Sequence, residues 1–151
     1  MKELQRLLNI MDDLRSKCPW DRKQTIQSLK NFTIEEVYEL TDAIESENFE
    51  NLKEELGDLL LHIVFYSKIA SEKKKFNFED VVNDLSDKLI YRHPHVYGEI
   101  KVSSIDEVKK NWERLKVKDK NKGILSGVPN HLPSLITVSY THLTLPTTPY
   151  V

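Results

Sequence analysis

The sequence has one cysteine, Cys18, so neither an internal disulfide nor a cysteine-rich zinc site is available to it. Glycine and proline are scarce, 4 and 6 in 151 residues, which disfavours a fold of many short strands and turns. No apolar run approaches the roughly 20 residues that span a bilayer. The longest, Leu59 to Phe65, is interrupted by His62. No secretory core follows Met1-Lys2-Glu3. The net charge is only −2, so no positive field draws the chain to a nucleic-acid polymer or an anionic membrane. These absences lead to the expectation of a cytoplasmic chain with no membrane and no nucleic-acid partner.

What remains is helix-forming sequence. Hydrophobic residues make up 39% and charged residues 30%, enough for one modest core in a charged surface. Leu4, Leu7, Leu8, Met11 and Leu14 stand at helical spacing between Lys2 and Ser16. Lys17-Cys18-Pro19-Trp20-Asp21 reads as a break. Thr25 to Glu45 reads as helix, with an irregularity near Asn31. Asn48 is placed to cap a helix to about Lys74, and Asn77 another to about Arg92. His93-Pro94-His95 ends that helix, because the residue before proline avoids helical dihedrals. Ser103 or Ser104 opens a last charged helix through Trp112 to about Lys118.

All 22 basic and 24 acidic residues precede Gly123, and four of the six prolines follow it. The stretch 137–151 has neither helical period nor clean alternation. It is read as a foreign or disordered tail after a domain at 1–136.

Two helices carry acidic pairs three residues apart, Glu36 with Glu39 and Glu55 with Asp58. At ~100° per residue, stripes of Val37, Leu40 and Ile44 and of Leu52, Leu56, Leu59 and Ile63 leave both pairs on equivalent flanks. A short turn makes the two helices antiparallel, so equivalent flanks meet on one surface. Glu39 and Glu55 are each eight residues from Glu47 in the turn, and Glu36 and Asp58 each eleven. The four carboxylates therefore share one side and two matching levels. Each pair at ~6 Å repels by about 3 kcal/mol at an effective dielectric of ~20. A hard, oxygen-preferring cation removes that cost, and Mg²⁺ suits such a site. The competing role is a solvated acidic face, in which Thr33-x-x-Glu36 is a capping box and Glu36 merely closes a helix start.

Glu35-Glu36-Val37-Tyr38-Glu39 followed by Glu55-Leu56-Gly57-Asp58-Leu59-Leu60 resembles the MazG nucleoside triphosphate pyrophosphohydrolases, whose signature is Glu-x-x-Glu, a spacer, then Glu-x-x-Asp. The resemblance runs from about Leu4 to Ile136. It includes Cys18-Pro19-Trp20-Asp21 with Gln24-Thr25, Tyr91-Arg92-His93-Pro94-His95-Val96-Tyr97, Asn111-Trp112-Glu113 and Gly127-Val128-Pro129. It implies an all-α fold of antiparallel helical hairpins, a four-helix-bundle-like core completed by dimerisation, as a homodimer or higher homo-oligomer. It also implies Mg²⁺-dependent hydrolysis of a nucleoside triphosphate between the α- and β-phosphates, with Mn²⁺ a substitute. Glu36, Glu39, Glu55 and Asp58 match the metal ligands, and Glu35 a neighbouring acid suited to activate water.

Lys88 and Arg92 match basic positions, and Trp112 an aromatic after them. The basic pair, four apart on one helix face, suits phosphate oxygens, and Trp20 or Trp112 suits stacking on a base. His62, four residues after Asp58 on the acid-bearing flank, is a candidate supporting residue, with an ordinary structural role as the alternative. His93 and His95 read as a structural turn and Cys18 as chemically idle. Many members carry two related domains, and this chain matches the first, so a non-catalytic dimerisation or nucleotide-binding half is the alternative. A ferritin-like di-iron centre is disfavoured, since it uses Glu-x-x-His pairs and neither acidic pair here has the histidine.

Overall fold

The computed structural model describes residues 2–120, with side chains to residue 115. The expectations for 137–151, and for a domain end at 136, lie outside the described residues. Seven helices run in order: α1 Lys2–Lys17, α2 Pro19–Lys23, α3 Ile26–Glu45, α4 Phe49–Glu72, α5 Phe78–Arg92, α6 Pro94–Tyr97 and α7 Ile105–Lys120. No strand occurs among the described residues. The described residues fall into two compact units, divided between Leu85 and Ser86.

In the first unit the expected break after α1 is itself one turn of helix. Pro19 occupies its first turn, where a missing N–H costs nothing. The capping box of α3 lies at Thr25, not at Thr33. Ser28 N donates to Thr25 Oγ1 at 3.1 Å, and Thr25 N donates to Ser28 Oγ at 2.9 Å. From there α3 runs unbroken through Asn31. Thr33 lies in its interior, donating to the Leu29 carbonyl at 3.0 Å.

The α3–α4 turn is a Schellman motif. Glu47 N donates to Ile44 O and Asn48 N to Ala43 O, with Glu47 at φ 52°. Asn48 then caps α4 by accepting from Glu50 N and Asn51 N. One residue thus closes one helix end and opens the next, which leaves the hairpin little freedom of register. After α4, Asn77 and Asp80 cap α5 reciprocally, Asp80 N donating to Asn77 Oδ1 at 3.0 Å and Asn77 N to Asp80 Oδ2 at 2.8 Å.

Packing in this unit is densest between α3 and α4, with α1 laid on α4 and α2 against α1. Met11, Leu29, Val64, Phe65 and Ile69 form the buried cluster, flanked by Leu7, Leu8, Leu61, Tyr66 and Phe78. Arg15 staples the helices around it. Its guanidinium lies 5.6 Å from the Phe65 ring centre, pairs bidentately with Glu72, and donates to the carbonyls of Asp21 and Gln24. That charge-assisted pair holds the Glu72 carboxyl below its ordinary value. Lys68 pairs with Asp12 at 2.7 Å and ties α4 to α1 again.

The seam between α3 and α4 is rotated from the expected one. Leu40, Leu52 and Leu59 are half-buried as anticipated, but Val37, Ile44, Leu56 and Ile63 are 47%, 57%, 53% and 47% exposed. The covered face of α3 is Leu29, Thr33, Glu36, Leu40 and Ala43; that of α4 is Leu52, Glu55, Leu59, His62, Tyr66 and Ile69. Steps of three and four residues mark each as one packed stripe. Polar residues sit inside it, so a stripe drawn through apolar residues alone falls to one side.

In the second unit, His93 precedes Pro94, ends α5 and starts the single turn α6. Ser104 Oγ accepts from Glu107 N at 3.2 Å and opens α7, while Ser103 N donates to the Glu107 carboxylate at 2.8 Å. That backbone hydrogen bond, and a second that the Ser103 hydroxyl donates at 3.2 Å, hold Glu107 below the ordinary carboxylate range.

Candidate metal centre

Because the seam carries Glu36 and Glu55, the acidic pairs face one another across the hairpin. Oxygens of Glu36, Glu39 and Glu55 lie within 4.8 Å of one another. Glu36 and Glu55 are half-buried and Glu39 is exposed, so the group opens to water on one side. Asp58, also half-buried, lies outside that three-way convergence. It is close enough to act electrically on both half-buried glutamates.

The Glu36 carboxyl is pushed above its ordinary value, by loss of water first, then by the charges of Asp58, Glu39 and Glu35. Glu55 is pushed up likewise, by loss of water first, then by Glu39, Asp58, Glu36 and Glu54. The strongest electrical partners are Asp58 for Glu36 and Glu39 for Glu55. Those are the pairs at equal height from Glu47, so the antiparallel register expected of the hairpin is realised. Oxygen donors only, in mutual repulsion and with an open side, fit a hard divalent cation that keeps some of its waters. They do not fit zinc or copper, which favour imidazole or thiolate.

Below the carboxylates the seam continues as a buried polar network. His62 is 7% exposed, with Nδ1 2.7 Å from Thr33 Oγ1. Tyr66 Oη lies 2.6 Å from the same hydroxyl. Burial pushes the His62 imidazole below its ordinary value, with Asp58 pulling the other way. Tyr66 was not singled out from the sequence, and Thr33 only as the first residue of a capping box. The signal for Tyr66 was its spacing four residues after His62, on the same face of α4.

The remaining candidates sit as follows. Glu35 is exposed on α3 beside Glu36. Trp20 is 54% exposed on α2, its ring edge-on to Phe32 at 6.3 Å. In the second unit Lys88 is exposed on α5, and the Arg92 guanidinium lies over the Trp112 ring at 5.5 Å. The structure brings together Glu36, Glu39 and Glu55 within the first unit, and Arg92 with Trp112 within the second. Cys18 is half-buried and not in a disulfide.

No helix among the described residues is long and apolar enough to cross a membrane. The MazG nucleotide pyrophosphohydrolase domain matches residues 24–97, the segment that holds both acidic pairs. A nucleoside triphosphate pyrophosphohydrolase of Escherichia coli K12 is 41% identical over 143 residues, covering 90% of this chain and 54% of the relative. The nucleoside triphosphate pyrophosphohydrolase/pyrophosphatase MazG of Thermotoga maritima is 50% identical over 118 residues, covering 77% of this chain and 45% of the relative. The crystal structure of a mazG-related protein from Thermotoga maritima superposes with a TM-score of 0.64 at 29% identity, covering 74% of this chain and 97% of that one. The chain spans about half the length of these curated relatives. An all-helical fold with an acidic hairpin, and homologues of this kind, place the chain in the MazG nucleotide pyrophosphohydrolase family.

Proposed function

We propose that the chain hydrolyses nucleoside triphosphates to nucleoside monophosphate and pyrophosphate, with Mg²⁺, or Mn²⁺ in its place, held by Glu36, Glu39, Glu55 and Asp58. The observation that carries this reading is the convergence of three carboxylates across the hairpin, within the matched domain. When bound, the ion supplies Lewis-acid polarisation of the phosphoryl oxygens and offsets charge on the departing pyrophosphate. The chain does the rest. Glu36 and Glu55 project from facing helices whose register the Glu47–Asn48 turn holds. Glu35, exposed beside them, orients an attacking water and accepts its proton. Lys88 and Arg92 are the charged donors proposed for phosphate oxygens, and Trp20 or Trp112 the aromatic surface proposed for the base.

Assembly belongs to the same reading. Val37, Ile44, Leu56 and Ile63 share one exposed flank of the hairpin, and a second copy of the chain would cover it in a homodimer or higher homo-oligomer. The function would be exercised in the cytoplasm, in clearing or adjusting nucleotide pools.

A second reading is supported by the chain's spanning about half of its relatives. In it, this half binds nucleotide or metal and dimerises without turnover. Incubation with a panel of triphosphates and Mg²⁺, followed by phosphorus NMR of the products, separates the two. Monophosphate with pyrophosphate supports hydrolysis at the α-phosphorus. Phosphate with diphosphate contradicts it, and binding without turnover, with Mn²⁺ as well, favours the second reading.

A further inference from the structure

Three groups meet at one hydroxyl in the seam of the hairpin. Thr33 Oγ1 donates to the Leu29 carbonyl at 3.0 Å, and lies 2.7 Å from His62 Nδ1 and 2.6 Å from Tyr66 Oη. A hydroxyl has a single proton, and a carbonyl can only accept. All three contacts are hydrogen bonds in one assignment alone. Thr33 gives its proton to Leu29, and His62 Nδ1–H and Tyr66 O–H both donate to the Thr33 oxygen. The neutral His62 ring is then the Nδ1–H tautomer, its one N–H engaged by Thr33. It has none to offer the carboxylates one turn away, which are left to a cation.

Both donors stand on α4, one turn apart, and the acceptor stands on α3, so the node ties the two helices across their seam. Its level in the hairpin matters. Thr33 is 14 residues from Glu47 and His62 is 15, whereas Glu36 and Asp58 are each eleven. The node therefore lies about one turn, ~5 Å, beneath the carboxylates. Glu36 follows Thr33 by three residues on the same covered face of α3. Rotation of α3 toward water would relieve the repulsion between Glu36 and Glu55. The same rotation would carry the Thr33 oxygen away from its α4 donors. His62, only 7% exposed, has little water to replace it.

We infer that Thr33 is a positioning residue for the divalent-cation site: its hydroxyl, gripped by His62 and Tyr66, fixes the rotation of α3 that keeps Glu36 in the seam with Glu55. This rests on the reading of the acidic cluster as a metal centre.

The test reads metal binding rather than turnover. Mg²⁺ affinity is measured by calorimetry at neutral pH on the full chain, for wild type, Thr33→Val, Thr33→Ser, Tyr66→Phe and the Thr33→Val/Tyr66→Phe double variant. Thr33→Val keeps the side-chain shape and loses the hydroxyl. It should weaken Mg²⁺ binding by about tenfold, as loss of a support for metal ligands does. Thr33→Ser keeps the hydroxyl and should restore most of the loss. Tyr66→Phe should weaken binding by less, and should add little in the Thr33→Val background, since its effect passes through the hydroxyl. Circular dichroism verifies folding of each variant. Should Thr33→Val not fold, Tyr66→Phe decides: weakened binding supports the inference and unchanged binding overturns it. Nitrogen-15 NMR of the histidine side chains reads the node in the metal-free protein. His62 should be the Nδ1–H tautomer in wild type and should lose that preference in Thr33→Val.

If Thr33→Val lowers the melting temperature yet binds Mg²⁺ as wild type does, the hydroxyl only stabilises the fold and the inference is overturned. Additive losses from Thr33→Val and Tyr66→Phe, or an Nε2–H tautomer of His62 in wild type, overturn it too. A wild type that binds no Mg²⁺ shows that the metal centre itself fails, and the inference with it. The NMR signature distinguishes that outcome from failure of the node.

Discussion

The two ends of the α3–α4 hairpin are built on opposite principles. Away from the turn, Leu29, Val64, Phe65 and Ile69 are at most 3% exposed, and α1 closes over them with Met11. The Arg15–Glu72 and Asp12–Lys68 pairs fasten that cover. Nearer the turn, the same seam holds Glu36 and Glu55, whose charges repel, and its flank leaves Val37, Ile44, Leu56 and Ile63 about half exposed. One helix pair therefore carries a stabilising base and an electrically strained working end. The base sustains what the working end costs, and the two should respond to substitution in opposite ways.

The largest effect on folding is expected at the base. Phe65→Ala should cost about 3–5 kcal/mol by opening a cavity in a close-packed cluster. Calorimetric or denaturant unfolding would measure it, and the variant should keep its rise in melting temperature with Mg²⁺. At the working end the pattern inverts. Glu55→Gln should lower turnover by about 100-fold or more, as for loss of a group that organises transition-state charge, without lowering the melting temperature of the metal-free protein. Steady-state kinetics beside thermal melts would show whether stability and activity separate this way.

A smaller loss is expected from Arg15→Met. Its side chain is 10% exposed and Glu72's is 37%, so the pair is partly screened and removal should cost about 1–2 kcal/mol. Because Glu72 is held below its ordinary value, this stability is present at neutral pH and is lost as pH falls through the folded-state value. The wild-type and variant unfolding energies should accordingly converge in acid. The smallest change is a gain. Glu47 sits at φ 52°, a conformation costly for a residue with a Cβ, so Glu47→Gly should stabilise by about 0.5 kcal/mol with activity intact. A loss there would show that the Glu47 side chain makes contacts that matter more than its backbone strain.

The helices and their register were legible in the sequence, because caps and periodicity are local. Asn48, Asn77 and the Ser103–Ser104 start all act within a few residues of themselves. The equal heights of Glu39 with Glu55 and of Glu36 with Asp58 followed from counting to the turn, and the charge pattern at the site agrees. What was not legible was the rotation of the seam. Hydrophobicity marks apolar faces, and this hairpin has two: one packed inside and one exposed outside. Thr33, Glu36, Glu55, His62 and Tyr66 are polar members of the inner stripe, so the period alone pointed toward Val37 and Leu56. Thr33 shows the same failing locally. Thr-x-x-Glu has the form of a cap, but Thr25 with Ser28 had already opened the helix, and Thr33 was left to meet His62. The pairing of Arg92 with Trp112 was equally hidden, since it joins residues twenty apart whose contact depends on the loop between them.

The central claim is that the working end is strained by carboxylates that a divalent cation relieves. Raised pKa values at Glu36 and Glu55 mean that the folded state binds more protons there than the unfolded state does. Their contribution is therefore favourable at low pH and is lost as pH rises through the raised values. Melting temperature is followed from pH 4 to 8 (~4 being the ordinary carboxylate value), with Mg²⁺ and with EDTA, for wild type, Glu36→Gln and Glu55→Gln. In EDTA the advantage of each variant over wild type should grow with pH, and Mg²⁺ should raise wild type while leaving the variants nearly unmoved. Equal stabilisation of all three proteins by Mg²⁺, with no pH-dependent gap in EDTA, would contradict the carboxylate centre.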